Sequence, residues 1–271
     1  MAIELEIRDG SPHWYLSPNI WVVMDPSDTI ESMPIAGTPC YLKARVRNNG
    51  STTVANATVK FYWANPSIGV TRSTATLIGQ SFVSLAAGGE DDVLCLIPWV
   101  PVFLNEGHEC VIAEAYHSSD PLPATTDFNV PTDRHVAQRN LSVLMAMNSI
   151  FHMNFEMHNG QRKEEIFTAQ IEQVGSENII KEFPFLKEQL RGKKEGILKT
   201  VEFTNTQFLE QSRKQELSEK SSKPIAIGGF EKRKLAIVGQ MEGDFVFLVV
   251  LQCKDEIRTG GLGILVINKK S

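Results

Sequence analysis

The stretch that decides the fold of this sequence is residues 40–50, which read CYLKARVRNNG. Apolar residues occupy every second position at its start: Cys40, Leu42, Ala44 and Val46. A period of two is typical of a β-strand with one face buried and the other in water. Asn and Gly follow, and both tolerate the positive φ angles of tight turns. The stretch therefore predicts a half-buried strand that ends in a turn.

Similar segments lie on both sides of this strand. Residues 57–63 also alternate between apolar and polar side chains, residues 93–97 are apolar on both faces, and a further strand begins at Cys110. Turn-forming segments separate them, of which Asn65-Pro66-Ser67 is one and Leu85–Gly89 another. About seven short strands at intervals of about ten residues are typical of an all-β sandwich.

Five segments of the first half match a known family in order and spacing. They are Leu42–Gly50, Leu85–Gly88, Pro98–Pro101, Gly107–Tyr116 and Asp133–Leu141. Together they resemble the CARDB type of bacterial immunoglobulin-like domains over residues 18–143. The resemblance implies an immunoglobulin-like β-sandwich as the first domain, residues 1–143. It also implies a non-catalytic domain, of a kind common in surface or adhesion proteins and beside hydrolases.

The second half, residues 144–271, predicts a second and smaller β-sandwich in tandem with the first. Four apolar residues at alternate positions define one core face: Phe151, Met153, Phe155 and Met157. Asn159-Gly160 is typical of a hairpin turn. The segment from Asp244 to Gln252 is apolar on both faces in its middle, which predicts a central strand. Gly260-Gly261 is expected to turn the chain into the last strand.

Residues 176–222 lack the pattern of a sandwich and predict an α-helical insertion in the second domain. Pro184 fits the first position of a short helix and Gly192 its end. A second helix is expected from Ile197 to Leu217. Four apolar residues with few partners nearby in sequence are the candidate protein-binding residues: Phe183, Phe185, Leu186 and Leu190. The alternative is that they pack on their own subunit as a lid over the sheet.

Composition and charge exclude two classes of protein. The 271 residues carry a net charge of −5, which argues against a general nucleic-acid binder. No apolar run approaches the roughly 20 residues of a membrane span. The charge is uneven, because residues 1–140 hold 15 acidic and 8 basic side chains, a net of −7, and the remainder has a net of +2. The first residues lack the pattern of a secretory signal peptide, which predicts a cytoplasmic protein or one exported without that signal.

Cysteines and histidines give no pattern of a cofactor or metal site, and no cofactor is expected. The four cysteines are expected to be buried free thiols: Cys40, Cys95, Cys110 and Cys253. A Cys40–Cys110 disulfide beside Trp63 is the alternative, since the order is that of immunoglobulin domains. His152 and His158 lie on one strand face about 20 Å apart, too far for one metal ion. Both are expected to face solvent.

The chain contains no phosphate-binding loop, nucleophile elbow or zinc-protease motif. Polar functional groups are concentrated only in the loops at residues 117–135. These groups are His117, Asp120, Asp127, Asp133 and His135. The cluster is either an ordinary hydrophilic loop, a Ca²⁺ site at the end of a sandwich, or an active site.

Together these observations favour a non-enzymatic protein-binding or assembly module, a component of a multi-protein bacterial system. Its partner would be another protein or a second copy of the chain. Two alternatives stay open at this point. One is a toxin-like effector or hydrolase accessory that uses the loops at residues 117–135, and the other is an extracellular adhesion module.

Overall fold

The computed structural model describes residues 2–64, 67–68, 70–102, 110–125, 128–204 and 221–269. Strands predominate among these residues, so the chain is mainly β, as the sequence predicts. The chain divides into two compact units. Unit 1 comprises Met1–Ala64 and Val70–Asn140, and unit 2 comprises Asn65–Gly69 and Leu141–Ser271.

The described residues contain seventeen strands and two short helices, and the helices lie between the twelfth and thirteenth strands. In chain order they are β1 (Leu5–Glu6), β2 (Ile20–Val23), β3 (Tyr41–Asn48), β4 (Val54–Ala64), β5 (Ser67–Ile68), β6 (Thr76–Leu85), β7 (Glu90–Leu94), β8 (Cys110–Tyr116), β9 (Val136–Arg139), β10 (Leu141–Met147), β11 (Ile150–His158), β12 (Glu165–Gln173), α1 (Glu177–Glu182), α2 (Pro184–Gln189), β13 (Ile197–Thr204), β14 (Ser221–Ile227), β15 (Lys232–Glu242), β16 (Phe245–Lys254) and β17 (Ile257–Lys269).

Unit 1 is built from two four-stranded sheets. In the first, β3 pairs with β1 and β2 along one edge and with β7 along the other. The second sheet has the order β6-β4-β8-β9. Alternate residues of both sheets contribute to one hydrophobic core. The alternation predicted for residues 40–46 is confirmed, because its four apolar side chains are fully buried.

Unit 2 contains one nine-stranded sheet, with the order β13-β15-β11-β10-β17-β16-β12-β14 and β5 beside β11. Between β10 and β11 this path is linked only by the pair Met147 and Ile150 at their connecting turn. The strands on the two sides of that link, β13-β15-β11 and β10-β17-β16-β12-β14, contribute side chains to one hydrophobic core. Within the second group, β10 pairs parallel with β17 from Leu141 to Met147. The predicted core face of β11 is confirmed, since its four apolar residues are buried. The central position predicted for β16 is also confirmed by its pairing with β12 and β17.

The described part of the predicted helical insertion contains two short helices, α1 and α2. Pro184 does begin α2, but α1 and α2 have six residues each. Residues 197–204, predicted as the start of a long helix, instead form β13, which pairs antiparallel with β15. The remainder of that predicted helix, residues 205–217, lies outside the described residues.

Two predicted turns are also wrong. Asn159-Gly160 does not close a hairpin, because β11 pairs with β15 and β12 pairs with β14 and β16. Gly260 and Gly261 lie within β17, opposite Gln252 and Leu251 of β16. The turn between these strands is instead formed by Asp255 and Glu256, whose φ angles are 47° and 68°.

Candidate functional site

The four apolar residues predicted to bind a partner lie in and beside α1 and α2, and the chain itself buries three of them. Phe183, Leu186 and Leu190 are 1%, 0% and 7% exposed. Phe185 is half-buried, with its ring centroid 6.3 Å from that of Phe183. Side chains buried to this extent in the single chain present little surface to a second protein. The structure therefore favours the alternative, in which they pack within their own subunit.

The polar loops at residues 117–135 form a buried hydrogen-bonded cluster in unit 1. The Nδ1 atom of His135 lies 2.7 Å from Oδ1 of Asp133, and its Nε2 atom lies 3.2 Å from Oδ1 of Asp120. Arg134 places Nη2 2.6 Å from the same Asp120 oxygen. The other carboxylate oxygen of Asp120 accepts a hydrogen bond from the Leu5 amide at 2.7 Å. The cluster thus holds the first strand of the unit against this loop.

Other members of the predicted cluster are arranged differently. His117 exchanges backbone hydrogen bonds with Asp120, and its Nδ1 atom accepts from the Ser119 amide at 3.1 Å. Asp127 lies outside the described residues. Within the described part of the chain, no group of three or more His, Cys, Asp or Glu residues has the geometry of a metal site. Hydrogen bonds and ion pairs within the protein account for the contacts of His135.

The histidines of β11 were predicted to face solvent, which is wrong for one of them. His158 is 7% exposed, and its backbone exchanges hydrogen bonds with the side chain of Gln252. His152 is half-buried. The end of β11 therefore lies against the buried side chain of Gln252 on β16 rather than in water.

The four cysteines are free and buried, as the sequence predicts. Burial raises the pKa of the Cys110 thiol to about 12 and raises the pKa values of Cys95 and Cys253 as well. A buried thiol with a raised pKa holds little of the reactive thiolate at neutral pH.

The outer face of the first sheet of unit 1 carries interleaved charges. Arg45 makes two hydrogen bonds to Asp92, at 2.7 and 3.0 Å. Arg47 is paired in register with Glu6 on one side and Glu90 on the other, and all three line a shallow cavity. Positive and negative groups alternate across the strands, so this face is typical of a solvated sheet surface.

Unit 1 carries a set of exposed apolar side chains on the segment after β7 and on the segment before β3, here called the 96–102 patch. Its members are between 39% and 72% exposed: Ile35, Leu96, Ile97, Val100 and Val102. The segment that carries Ile35 runs beside this one. Cys40 and Trp99 exchange backbone hydrogen bonds, and the Gly37 amide donates to the Pro101 carbonyl at 2.8 Å.

Sequence reasoning misplaced this surface. Residues 93–97 were predicted to be a strand that is apolar on both faces, but β7 ends at Leu94, and of the residues that follow, Cys95 is buried whereas Leu96 and Ile97 are exposed. Uniformly apolar segments carry no periodicity, so their exposed part is not identifiable from the pattern. The exposed acidic residues Glu90–Asp92 lie on β7 before Val93, Leu94 and Cys95, and Glu90 and Asp92 lie opposite Arg47 and Arg45 of β3.

No helix among the described residues is long and apolar enough to cross a membrane. No family model matches the chain, and no curated protein matches it.

Several solved structures are similar to parts of the chain. The CARDB domain of a Pyrococcus furiosus protein, solved in complex with di-metal ions, matches 51% of this chain and 85% of its own, with 16% identity and a TM-score of 0.29. A red sea bream transglutaminase matches 100% of this chain and 32% of its own, with 10% identity and a TM-score of 0.25. A β-glucosidase from Streptomyces venezuelae matches 39% of this chain and 13% of its own, with 20% identity and a TM-score of 0.23.

The CARDB-like segment predicted from the sequence is thus found again, over about half of the chain. At identities and TM-scores this low, none of these likenesses supports a statement about activity, ligands or partners.

Proposed function

We propose that the chain is a non-enzymatic protein-binding or assembly module that contacts its partner through the 96–102 patch. The observation that supports the proposal is the exposure of five large apolar side chains on two adjoining segments of unit 1. Single exposed apolar residues are normal on protein surfaces, whereas a cluster of them commonly marks an interaction site.

The backbone beneath the patch is held in place before any partner binds. Cys40 and Trp99 exchange two backbone hydrogen bonds, at 2.9 and 2.8 Å, and Trp99 is buried in the core of unit 1. Pro98 and Pro101 restrict φ within the same segment. A surface ordered in advance loses little conformational entropy on binding, which favours association. The order of this backbone therefore supports the proposal that the patch binds a partner.

Acidic substitutions within the patch test the proposal. Leu96→Asp and Val100→Asp place a carboxylate in the contact and leave the buried core unchanged. Phe82→Asp is the matched control, because Phe82 is 60% exposed on β6 of the same unit but lies outside the patch. Each variant is compared with the original chain by affinity capture and quantitative mass spectrometry, after its thermal unfolding shows that it is folded.

A partner that binds through the patch is retained by the original chain and by Phe82→Asp, and is depleted at least about tenfold by Leu96→Asp. The proposal fails if all variants retain the same proteins in the same amounts.

A further inference from the structure

One end of unit 2 presents a row of exposed side chains across three strands. Met147 is paired in register with Ile150 of β11 on one side and with Lys269 of β17 on the other. Directly paired residues point to the same side of a sheet, so these three side chains are neighbours. Met147 and Ile150 are 64% and 53% exposed, and Lys269 is exposed as well. The row therefore combines two apolar side chains with an ammonium group.

The hairpin that carries this row is fixed to the rest of the sheet. Its two turn residues, Asn148 and Ser149, have φ angles of 51° and 65°, as in the two-residue turns that match the twist of a hairpin. The side-chain amide of Asn268 donates to the Ser149 hydroxyl at 3.1 Å and to the Gly243 carbonyl at 3.0 Å. Met147 thus projects from a supported turn.

The loop between α2 and β13 brings further lysines to this end. The Lys194 amide donates to Oδ2 of Asp244 at 2.9 Å, and the Asp244 carbonyl accepts from the Asn268 amide at 2.8 Å. Lys193 and Lys194 are exposed. Among the residues that the structure describes, no ion pair joins Lys193, Lys194 or Lys269 to an acidic side chain.

The acidic side chains of this end have partners within the protein. Glu195 accepts hydrogen bonds from the Ser176 amide and hydroxyl at 3.2 and 2.7 Å, and Glu242 pairs with Lys199 at 2.7 Å. Residues 147–150, 191–197, 242–245 and 268–269, here called the Met147 end, contain four basic and three acidic side chains. The Met147 end therefore offers ammonium groups beside exposed apolar side chains.

This composition suits an anionic lipid surface better than a protein. Lysine is depleted at protein interfaces, where aromatic rings are the usual anchors. The large exposed apolar side chains of the Met147 end are Met147, Ile150 and Ile197, none of which is aromatic. Apolar side chains beside lysines are typical of shallow membrane binding, because the apolar groups enter the head-group boundary while the ammonium groups contact anionic lipids. Charge complementarity thus favours a membrane as the occupant.

We propose that the Met147 end of unit 2 binds the surface of an anionic membrane. Met147 and Ile150 enter the head-group region, and the ammonium groups of Lys193, Lys194 and Lys269 contact the lipid phosphates and carboxylates. The Met147 end shares no residue with the 96–102 patch, so this inference does not depend on the function proposed above.

Vesicle sedimentation with the full-length chain tests the inference. The vesicles consist of phosphatidylcholine alone, or of phosphatidylcholine mixed with half as much phosphatidylserine. Ile150→Asp and Met147→Asp alter the apolar row, and Lys193→Glu reverses one charge. Phe230→Asp and Lys163→Glu are the matched controls, because Phe230 is 63% exposed and Lys163 is exposed at the opposite end of β11 and β15. Thermal unfolding first shows that each variant is folded.

We expect the original chain to sediment with the phosphatidylserine vesicles, less strongly at high salt, and not with phosphatidylcholine alone. Ile150→Asp and Met147→Asp are each expected to bind at least about tenfold more weakly, since a carboxylate replaces an apolar group that leaves water. Lys193→Glu is expected to bind at least about fivefold more weakly. Both controls are expected to bind like the original chain.

The inference is overturned if the original chain does not sediment with the phosphatidylserine vesicles, or if Phe230→Asp weakens binding as much as Ile150→Asp. A loss confined to Lys193→Glu would show adsorption by charge alone and would also overturn it. If no vesicles are bound and Ile150→Asp instead depletes a captured protein, the Met147 end is a protein interface and the inference is wrong. Leu96→Asp is expected to bind the vesicles like the original chain, so the function proposed above is tested separately.

Discussion

The guanidinium of Arg72 lies 2.9 Å from the carboxylate of Glu114 in unit 1, measured from Nη2 to Oε2, and the Glu114 side chain is 1% exposed. The other carboxylate oxygen of Glu114 accepts a hydrogen bond from the Tyr62 hydroxyl at 2.6 Å. The guanidinium carbon of Arg72 lies 4.8 Å from the centre of the Phe128 ring. Burial, followed by the bond to Glu114, raises the pKa of the Tyr62 hydroxyl. The network thus connects the loops that contain Arg72 and Phe128 to the outer face of β4 and β8.

Removing the carboxylate is expected to destabilise unit 1 strongly. Glu114→Ala leaves the Tyr62 hydroxyl and the Arg72 guanidinium without their shared partner, and breaking a buried ion pair in this way costs about 3 kcal/mol. Tyr62→Phe removes one hydrogen bond and is expected to cost about 1 kcal/mol. Urea unfolding followed by tryptophan fluorescence measures both. Glu90→Ala, on the exposed edge strand β7, is the control, and an equal effect of Glu114→Ala and Glu90→Ala would contradict this account.

Packing in unit 2 leaves no room for a side chain at Gly239. A Cβ atom there would lie 2.3 Å from the Phe151 ring, inside the core, whereas one at Gly175 would meet nothing within 4 Å. Gly239→Ala is therefore expected to lower the free energy of unfolding by about 1–3 kcal/mol. Gly175→Ala is expected to change it by less than about 0.5 kcal/mol. Thermal unfolding of the matched pair decides the point, and equal stabilities would show that β11 and β15 do not pack as described.

The helices between β12 and β13 give a further test. Leu186 is fully buried, and Leu186→Ala is expected to cost about 2–5 kcal/mol because it leaves a cavity. Lys187→Ala, at the exposed next position of α2, is expected to change little. Chemical unfolding of the two variants measures the difference. If both were as stable as the original chain, Leu186 would not be a core residue, and its role as a partner-binding residue would become the better explanation.

The two compact units lead us to expect that residues 1–143 fold as an independent fragment. In the full chain, Ser67 and Ile68 pair with Glu156 and Met157 of β11, and the fragment lacks this partner. Limited proteolysis with mass spectrometry is expected to cut the fragment first near residues 67–68, and the full chain there more slowly. Cleavage throughout the fragment would show that the boundary is misplaced.

Local alternation made several strands predictable from sequence. Residues 40–46 and 151–157 place their apolar side chains on one face because successive strand residues point to opposite sides. The pattern failed at β13, where a register shift between Leu198 and Thr200 interrupts the alternation. The buried Leu198 and Val201 are consequently three residues apart, a spacing that also fits a helix.

The candidate surfaces were less predictable than the strands. Leu96 and Ile97 belong to a uniformly apolar segment, and only the end of β7 at Leu94 shows that they leave the core. Phe230 follows two glycines that marked no predicted element, and its amide donates to the Gln161 carbonyl, in a loop about seventy residues earlier in the chain. Such long-range contacts have no signature in local sequence, as with many binding loops.

The central claim, that the 96–102 patch contacts another protein molecule, is tested most directly by site-specific photo-crosslinking. A photoreactive amino acid replaces Ile97 in one sample and Phe82 in a second, since both positions are exposed on unit 1. Illumination in the producing cells is expected to give a discrete covalent protein adduct from position 97 and none from position 82. No adduct from position 97, or the same adducts from both positions, would contradict the claim.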